Sequence, residues 1–387
     1  MVSPLGRSME DGWVTLSWQI DDQAEGFRLQ HSIPQEHAGM LTEDTRGDHA
    51  LLVALLHGMR LKRDIHIAGE VCPELLTNLE TLQDIWQRWR PERYQKINIS
   101  VAEERSLASQ ATSGGLFAFS GGVDGTYTFF RHLTGAAGRR TQQPAAALLV
   151  HGMDIPLSEP QMYERALIRA QRMLEGTGVP MLPLKTNSRA LNLDWEEAYG
   201  LQLIAAMLVV QPAFAAGIHG SGEPWEMLVF PWGSTPFTDP CCQTKGFKIF
   251  HDGCEASRTE KVDWLARHTD ACKDLRVCWQ GPQKDRNCGE CEKCMRTKLN
   301  FWALGHAIPE SLPGGISPSA VRQIKPLNHI QLRELQSILQ VASAYHPSSD
   351  PLLKALKHCV MKAPASIFAR RVKRKLQREV KGFLSRG

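Results

Sequence analysis

The sequence predicts an α/β protein built on a doubly wound parallel sheet, with a small α+β region before it and a helical tail after it. Three observations carry that expectation. Between Leu116 and His251, short apolar runs of strand length alternate with longer runs of helical period. Within that stretch, Phe117-Ala118-Phe119-Ser120-Gly121-Gly122-Val123-Asp124-Gly125-Thr126 joins a strand to a helix through a glycine-rich turn. Beyond it, Cys278, Cys288, Cys291 and Cys294 form a C-x9-C-G-E-C-E-K-C knuckle, a spacing suited to a tetrahedral metal.

The elements follow in order. Trp13 to Trp18 and Phe27 to His31 read as a strand pair around the turn-like Asp21 to Gly26. Next come a helix over Ala50 to Met59, a strand over Asp64 to Ala68, a helix from Pro73 to Trp89 and a strand over Gln95 to Ser100. Pro73 suits a first helical turn, and Leu75, Leu76, Leu79, Leu82, Ile85, Trp86 and Trp89 hold one helical face. That spacing favours core packing of the tryptophans over stacking on a base.

In the second region, strands are expected at Leu116 to Phe119, Ala146 to His151, Pro180 to Leu184, Met227 to Phe230 and Phe247 to His251. Helices are expected at Thr126 to Leu133, Pro160 to Leu174 and Trp195 to Phe214. Arg296 to Leu304 continues the knuckle as a helix, Pro309 to Pro318 is a linker, Asn328 to Tyr345 is helical, and Asp350-Pro351 caps one more helix. The predicted domains are 1–105, 106–307 and 308–387.

At 387 residues, with 42% hydrophobic and 22% charged, the chain can bury a large core. Met1 to Gly12 lacks the apolar core of a signal peptide, and four of the ten cysteines belong to the knuckle, so a reducing cytoplasm is expected rather than a disulfide framework. Leu201 to Ile218 approaches membrane length but contains Gln202, Gln211 and Pro212. It reads as a buried core helix, a short membrane span being the competing reading, and no transmembrane segment is predicted.

The net charge of +4 is uneven, with +7 between Arg370 and Arg386 and −3 elsewhere. Phe368, Val372, Leu376, Val380 and Phe383 recur at helical spacing within that basic run. Such a helix can lie on an anionic membrane, grip a nucleic-acid backbone, or dock on its own domain with its charges solvated. The last is favoured, because most charge runs are solvated faces.

The chemistry concentrates in the glycine turn. Gly121 and Gly122 leave their N–H groups unshielded, the Ser120 hydroxyl can donate, and the helix beginning near Gly125 offers unpaired donors and a positive dipole end. Together with the amides of Val123 and Thr126 they make an anion cradle. Asp124 has no reason to face phosphate directly, so it is assigned to a magnesium ion or to bracing the loop. The Walker pattern is absent, and an ordinary strand-to-helix turn is the plain alternative.

Four thiolates with no open position describe a structural zinc; a redox pair, an iron–sulfur cluster or unrelated thiols are the alternatives. Lys293, Arg296 and Lys298 stand beside the knuckle to offset its charge or to face a substrate. In a parallel sheet, ligands gather outside the carboxyl ends of the strands. There lie His151, Asp154, Thr186, Asn187, Gly233, Ser234 and His251. His151 and Asp154 end the strand after the turn. Asp239, Lys245, Asp252, Arg258 and Lys261 are further candidates around the last strand, and the vicinal Cys241 and Cys242 are read as buried thiols rather than nucleophiles.

The turn resembles the S-G-G-x-D-S signature of the PP-loop ATP pyrophosphatases, with Gly125 where that family has a serine and a hydroxyl one residue later at Thr126. Together with the knuckle, the order of motifs resembles 7-cyano-7-deazaguanine synthase and its relatives over about Leu116 to Leu304. The resemblance implies a PP-loop (HUP-like) sheet with a four-cysteine zinc knuckle, and ATP, Mg2+ and Zn2+ as ligands. In the neighbouring folds, the strand end carrying His151 and Asp154 holds the adenosine. The resemblance further implies an enzyme that adenylates a carboxylate or amide of a small or base-like substrate, with Ser120 and Asp124 serving catalysis. Ammonia or another nucleophile then displaces AMP. RNA thiolation, or a nucleotide-binding subunit of a modification or defence system, are the other readings; nucleic acid would engage the basic tail, and a homo-oligomer is expected.

Overall fold

The computed structural model describes residues 1–21, 26–107, 114–278, 281–364 and 367. The basic run from Arg370 to Arg386, with the apolar stripe from Phe368 to Phe383, lies outside them, as does most of the turn between Asp21 and Gly26.

The described residues hold ten strands, β1 (Val2–Glu10), β2 (Trp13–Ile20), β3 (Phe27–Pro34), β4 (Ile65–Val71), β5 (Ile99–Glu104), β6 (Gly115–Ala118), β7 (Pro144–His151), β8 (Met181–Thr186), β9 (Ala216–Gly220) and β10 (Lys248–Asp252). The α-helices are α1 (Asp48–Leu61), α2 (Pro73–Trp89), α3 (Val123–Leu133), α4 (Pro160–Met173), α5 (Trp195–Leu208), α6 (Arg258–His268), α7 (Glu292–Ala303), α8 (Pro318–Gln323) and α9 (His329–Tyr345). Residues 351–364 are also helical, and the Asp350 carboxylate caps them by accepting from the amides of Leu352 and Leu353 at 2.7 and 3.1 Å.

All ten strands join one mostly parallel sheet in the order β10-β9-β6-β7-β8-β3-β2-β1-β4-β5. From β10 to β8 every neighbouring pair is parallel. Numbering β6 to β10 as first to fifth, that run is ordered fifth, fourth, first, second, third. Strand order therefore reverses between β6 and β9, the crevice where doubly wound sheets take their ligands. The expected α/β core with a parallel sheet is present in this run.

The chain divides into two compact units, residues 1–222 with 228–254, and 223–227 with 255–387. No division falls at 105. The reason is the β3 to β8 pairing, antiparallel at His31↔Thr186 and Ser32↔Lys185, which makes the first hundred residues part of the central sheet. Asn187 fastens this joint by accepting from the Gln30 amide at 2.8 Å and donating to the Arg28 carbonyl at 2.8 Å. Farther along, Glu197 of α5 accepts from Arg90, Arg93 and Tyr94 at 2.9, 2.7 and 2.7 Å.

Helix α1 is buried on every side from Asp48 to Met59, as expected of an element enclosed by its own unit rather than lying on its surface. Helix α5 is similarly enclosed. The run read as one helix from Trp195 to Phe214 instead ends at Leu208, and Pro212 falls in a short 3-10 turn over Gln211–Ala213. Ala216 to Gly220 is then a strand. The predicted strand at Met227 to Phe230 is not one: Trp225–Met227 is a 3-10 turn, and the sheet position is taken by β9. Among the described residues no helix is long and apolar enough to cross a membrane.

Candidate functional site

The glycine turn sits at the carboxyl end of β6, at the crevice where strand order reverses. Gly121 has φ +77°, a conformation that L side chains rarely adopt. Gly122 precedes α3 in extended conformation and no side chain caps the helix, as in α1, α2 and α4, whereas Asp194, Ser257, Cys291 and Asn328 cap α5, α6, α7 and α9. Uncapped first-turn amides are the anion-binding end of a helix. Gly125 explains itself by packing. A Cβ there would stand 2.9 Å from the Ala118 carbonyl oxygen, so the helix presses on β6 too closely for the serine of the PP-loop signature.

Ser120 is exposed, Asp124 is half-buried in the first turn of α3, and Thr126 is fully buried with its amide donating to the Gly122 carbonyl at 3.0 Å, so the expected contribution of Thr126 to the anion cradle is not met: its backbone donor is taken by the helix. Val123 is buried behind the turn. Gly220, at the end of β9, presses on the same helix: a Cβ there would lie 2.8 Å from the Asp124 carbonyl oxygen.

His151 and Asp154 flank the next loop. The His151 ring stacks on Tyr163 at 4.4 Å, its Nε2 is 2.8 Å from the Pro156 carbonyl oxygen, and burial lowers its pKa. The ring is thus tied to its own loop. Asp154 is half-buried. Gly152, with φ +100°, brings the loop so close to β8 that a Cβ would fall 1.8 Å from the Thr186 carbonyl oxygen.

A second group gathers at the ends of β9 and β10. His219 Nδ1 and His251 Nδ1 lie 3.2 and 2.8 Å from the same Asp239 oxygen, Oδ2. The Ser234 hydroxyl donates to that oxygen at 2.6 Å and lies 2.8 and 3.3 Å from the two imidazole nitrogens. Burial opposes charge on Asp239, yet hydrogen bonds from both imidazoles hold its pKa below the usual carboxylate range. Burial likewise opposes charge on His251, but the bond to Asp239 holds its pKa up to about 9. The Tyr199 ring stands 6.2 Å from that of His219, and burial, with the carboxylates of Asp239 and Asp124, raises its pKa.

Sequence reasoning singled out Ser234, Asp239 and His251 but missed His219 and Tyr199. A usable signal was present: His151-Gly152, His219-Gly220 and His251-Asp252-Gly253 each close a parallel strand. Asp252 serves structure, its carboxylate lying 3.3 Å from His132 and 3.8 Å from Arg131. Cys242 is buried, donates to the Thr238 carbonyl at 3.6 Å, and has its pKa raised well above normal by burial; burial also raises Cys241. Neither thiol is activated as a nucleophile.

In the second unit the four knuckle cysteines converge. Cys278 Sγ lies 3.6 Å from Cys288 Sγ and 3.7 Å from Cys291 Sγ, and Cys288 Sγ lies 3.9 Å from Cys294 Sγ. Tetrahedral zinc with Zn–S near 2.3 Å separates its sulfurs by about 3.8 Å, so the set fits a zinc ion without rearrangement. The amides of Cys291 and Cys294 point at sulfur, donating to Cys288 Sγ at 3.2 Å and Cys291 Sγ at 3.5 Å.

Two buried side chains frame the knuckle. Asn287 accepts from the amides of Val277 and Cys278 and donates to the carbonyls of Leu275 and Ser311. Lys298 donates to the carbonyls of Gly289, Pro313 and Gly314 at 2.8, 2.5 and 2.9 Å, while Arg296 pairs with Glu292 and Glu334. Lys298 and Arg296 are therefore committed to structure. Arg258 also pairs with Glu334, and Lys261 is fully buried. No protein-family model, curated protein or solved structure matches this chain.

Proposed function

We propose that the chain is an ATP-dependent enzyme of the PP-loop type that releases AMP and pyrophosphate while activating a carboxylate or amide. One observation carries this reading: a glycine turn with uncapped helix amides, pressed against β6 at Gly125, lies where the strand order reverses. Backbone amides from Gly121 to Gly125 and the exposed Ser120 hydroxyl would hold the β and γ phosphates. Asp124, half-buried in the first turn of α3, would hold magnesium, which supplies charge neutralisation when bound.

The acceptor oxygen attacks the α phosphorus, pyrophosphate leaves, and ammonia or another nucleophile displaces AMP from the activated carbon. The chain's part is positioning and the neutralisation of developing charge. The zinc knuckle is structural in this scheme. Carbon–nitrogen bond formation is favoured over RNA thiolation because the Cys241 and Cys242 thiols are held protonated by burial.

The test is incubation of the full chain with ATP, magnesium and a panel of carboxylate and amide acceptors, with quantitation of nucleotide and phosphate products. AMP and pyrophosphate in equal amounts are expected. Asp124→Ala should lower their formation at least a hundredfold with an unchanged melting temperature. ADP and orthophosphate as products would overturn the reading.

A further inference from the structure

We propose that His219, Asp239 and His251, with the Ser234 hydroxyl among them, form a binding site for a divalent first-row transition ion beside the glycine turn, separate from the cysteine knuckle. The geometry carries the argument. Three ligand atoms of different elements, two of them strand ends and the third on the 3-10 turn Asp239–Cys242, come within 4.8 Å of one another. Both imidazoles aim the same nitrogen, Nδ1, at a single carboxylate oxygen, and Ser234 Oγ touches all three atoms.

A hydrogen-bonded chain would run from group to group, whereas these four atoms close on a common point. The two imidazole–carboxylate separations, 3.2 and 2.8 Å, need to widen by less than about 1 Å to match the edges of a tetrahedron with metal–ligand distances near 2.0–2.2 Å, and the fourth vertex is left open on the Ser234 side. The carboxylate is aimed from behind, since Asp239 Oδ1 accepts from the Thr235 amide at 3.2 Å. Asp239 and His251 have side-chain exposures of 1% and 4%, and His219 of 15%, so an ion would be shielded from bulk water and reached from the His219 side.

Two imidazoles and one carboxylate are the donor set of borderline ions such as zinc, and three protein ligands leave coordination open to an exogenous oxygen. The place is consistent with that use. Residue Gly220, next to His219, packs on the Asp124 backbone, so the ion would stand one strand away from the turn at the same crevice. There it would polarise a carbonyl or phosphoryl oxygen of whatever occupies the crevice.

The readout is metal content and cobalt spectroscopy of the full chain, without nucleotide, so it is decided independently of the adenylation reading. After loading with Zn2+ and removal of free metal, the wild-type chain should retain two equivalents. Asp239→Asn and His219→Gln should each retain one, with melting of the second unit unchanged. With Co2+, the equivalent lost in His219→Gln should show visible absorption without thiolate charge-transfer bands. His219→Gln, at the more exposed ligand, decides the matter if Asp239→Asn does not fold. One equivalent in the wild-type chain, bound with thiolate bands alone, or two equivalents retained in folded His219→Gln, would overturn the proposal.

Discussion

His31 and His49 are fully buried in the first unit, with ring centroids 5.3 Å apart, and no nitrogen of either ring has a hydrogen-bond partner. Burial lowers the pKa of His31 to about 3, and burial followed by repulsion from His31 takes His49 well below its usual value. Both are neutral when folded, while the unfolded chain protonates them near pH 6.5. Between pH 6.5 and about 3 the unfolded state therefore binds more protons, and stability falls as pH falls. Each histidine removes about 1.4 kcal/mol per pH unit below 6.5, or roughly 4 kcal/mol for the pair between pH 7 and 5. Urea titrations at the two pH values should show that loss, and His49→Leu should remove about half of it. Equal midpoints at both pH values would refute the assignment. Neither histidine stood out in the sequence. His31 was read only as the end of a strand, and nothing local distinguishes an imidazole packed edge-on against Trp18, as His49 is, from one facing water.

At the scale of elements, the most predictable pieces were those with their own punctuation. Helix α2 occupies Pro73 to Trp89 as expected, because proline opens it and its leucines keep one face. The Asn328 and Asp350 caps were equally readable. Helix α6 was not foreseen, although Ser257-Arg258-Thr259-Glu260 is a full capping box, with Glu260 N donating to Ser257 Oγ at 3.3 Å and Ser257 N to Glu260 Oε2 at 2.7 Å. Ser257→Ala should cost about 1 kcal/mol and speed amide exchange in the first turn of α6, measurable by hydrogen exchange. Strand β9 was hidden for a different reason. Its Ala-Gly-Ile run continues the apolar composition of α5, and only Pro212 and the glycines mark the change of period. Losing β9 also lost His219, the one member of the cluster with Ser234, Asp239 and His251 that the strand-end reading passed over.

The whole molecule shows which long-range facts local patterns carry. The cysteine spacing alone foretold the convergence of four sulfurs, because three of the ligands lie within seven residues and the fourth needs one return of the chain. The knuckle organises carbonyls from Leu275, Gly289, Ser311, Pro313 and Gly314 through Asn287 and Lys298. Chelating the metal from the chain loaded with Zn2+ should therefore raise amide exchange in α7 and around Pro313 at least tenfold, while β6, β7 and β9 keep their protection. Unchanged exchange in α7 would show that the metal adds nothing to that fold. The single sheet, by contrast, was invisible in sequence. Local periodicity predicts strands but not that β3 meets β8, and the first hundred residues consequently read as a separate domain.

That seam has a consequence for how the protein is made. Ser32 leaves the ribosome some 150 residues before its partner Lys185, so at about 5–20 residues per second β3 waits roughly 10–30 s with one rim unpaired. A fragment started near residue 106 would bare the opposite rim on β8 permanently, and such rims template sticking between chains. Anyone wishing to express the parallel core from β6 to β10 should keep the opening hundred residues attached.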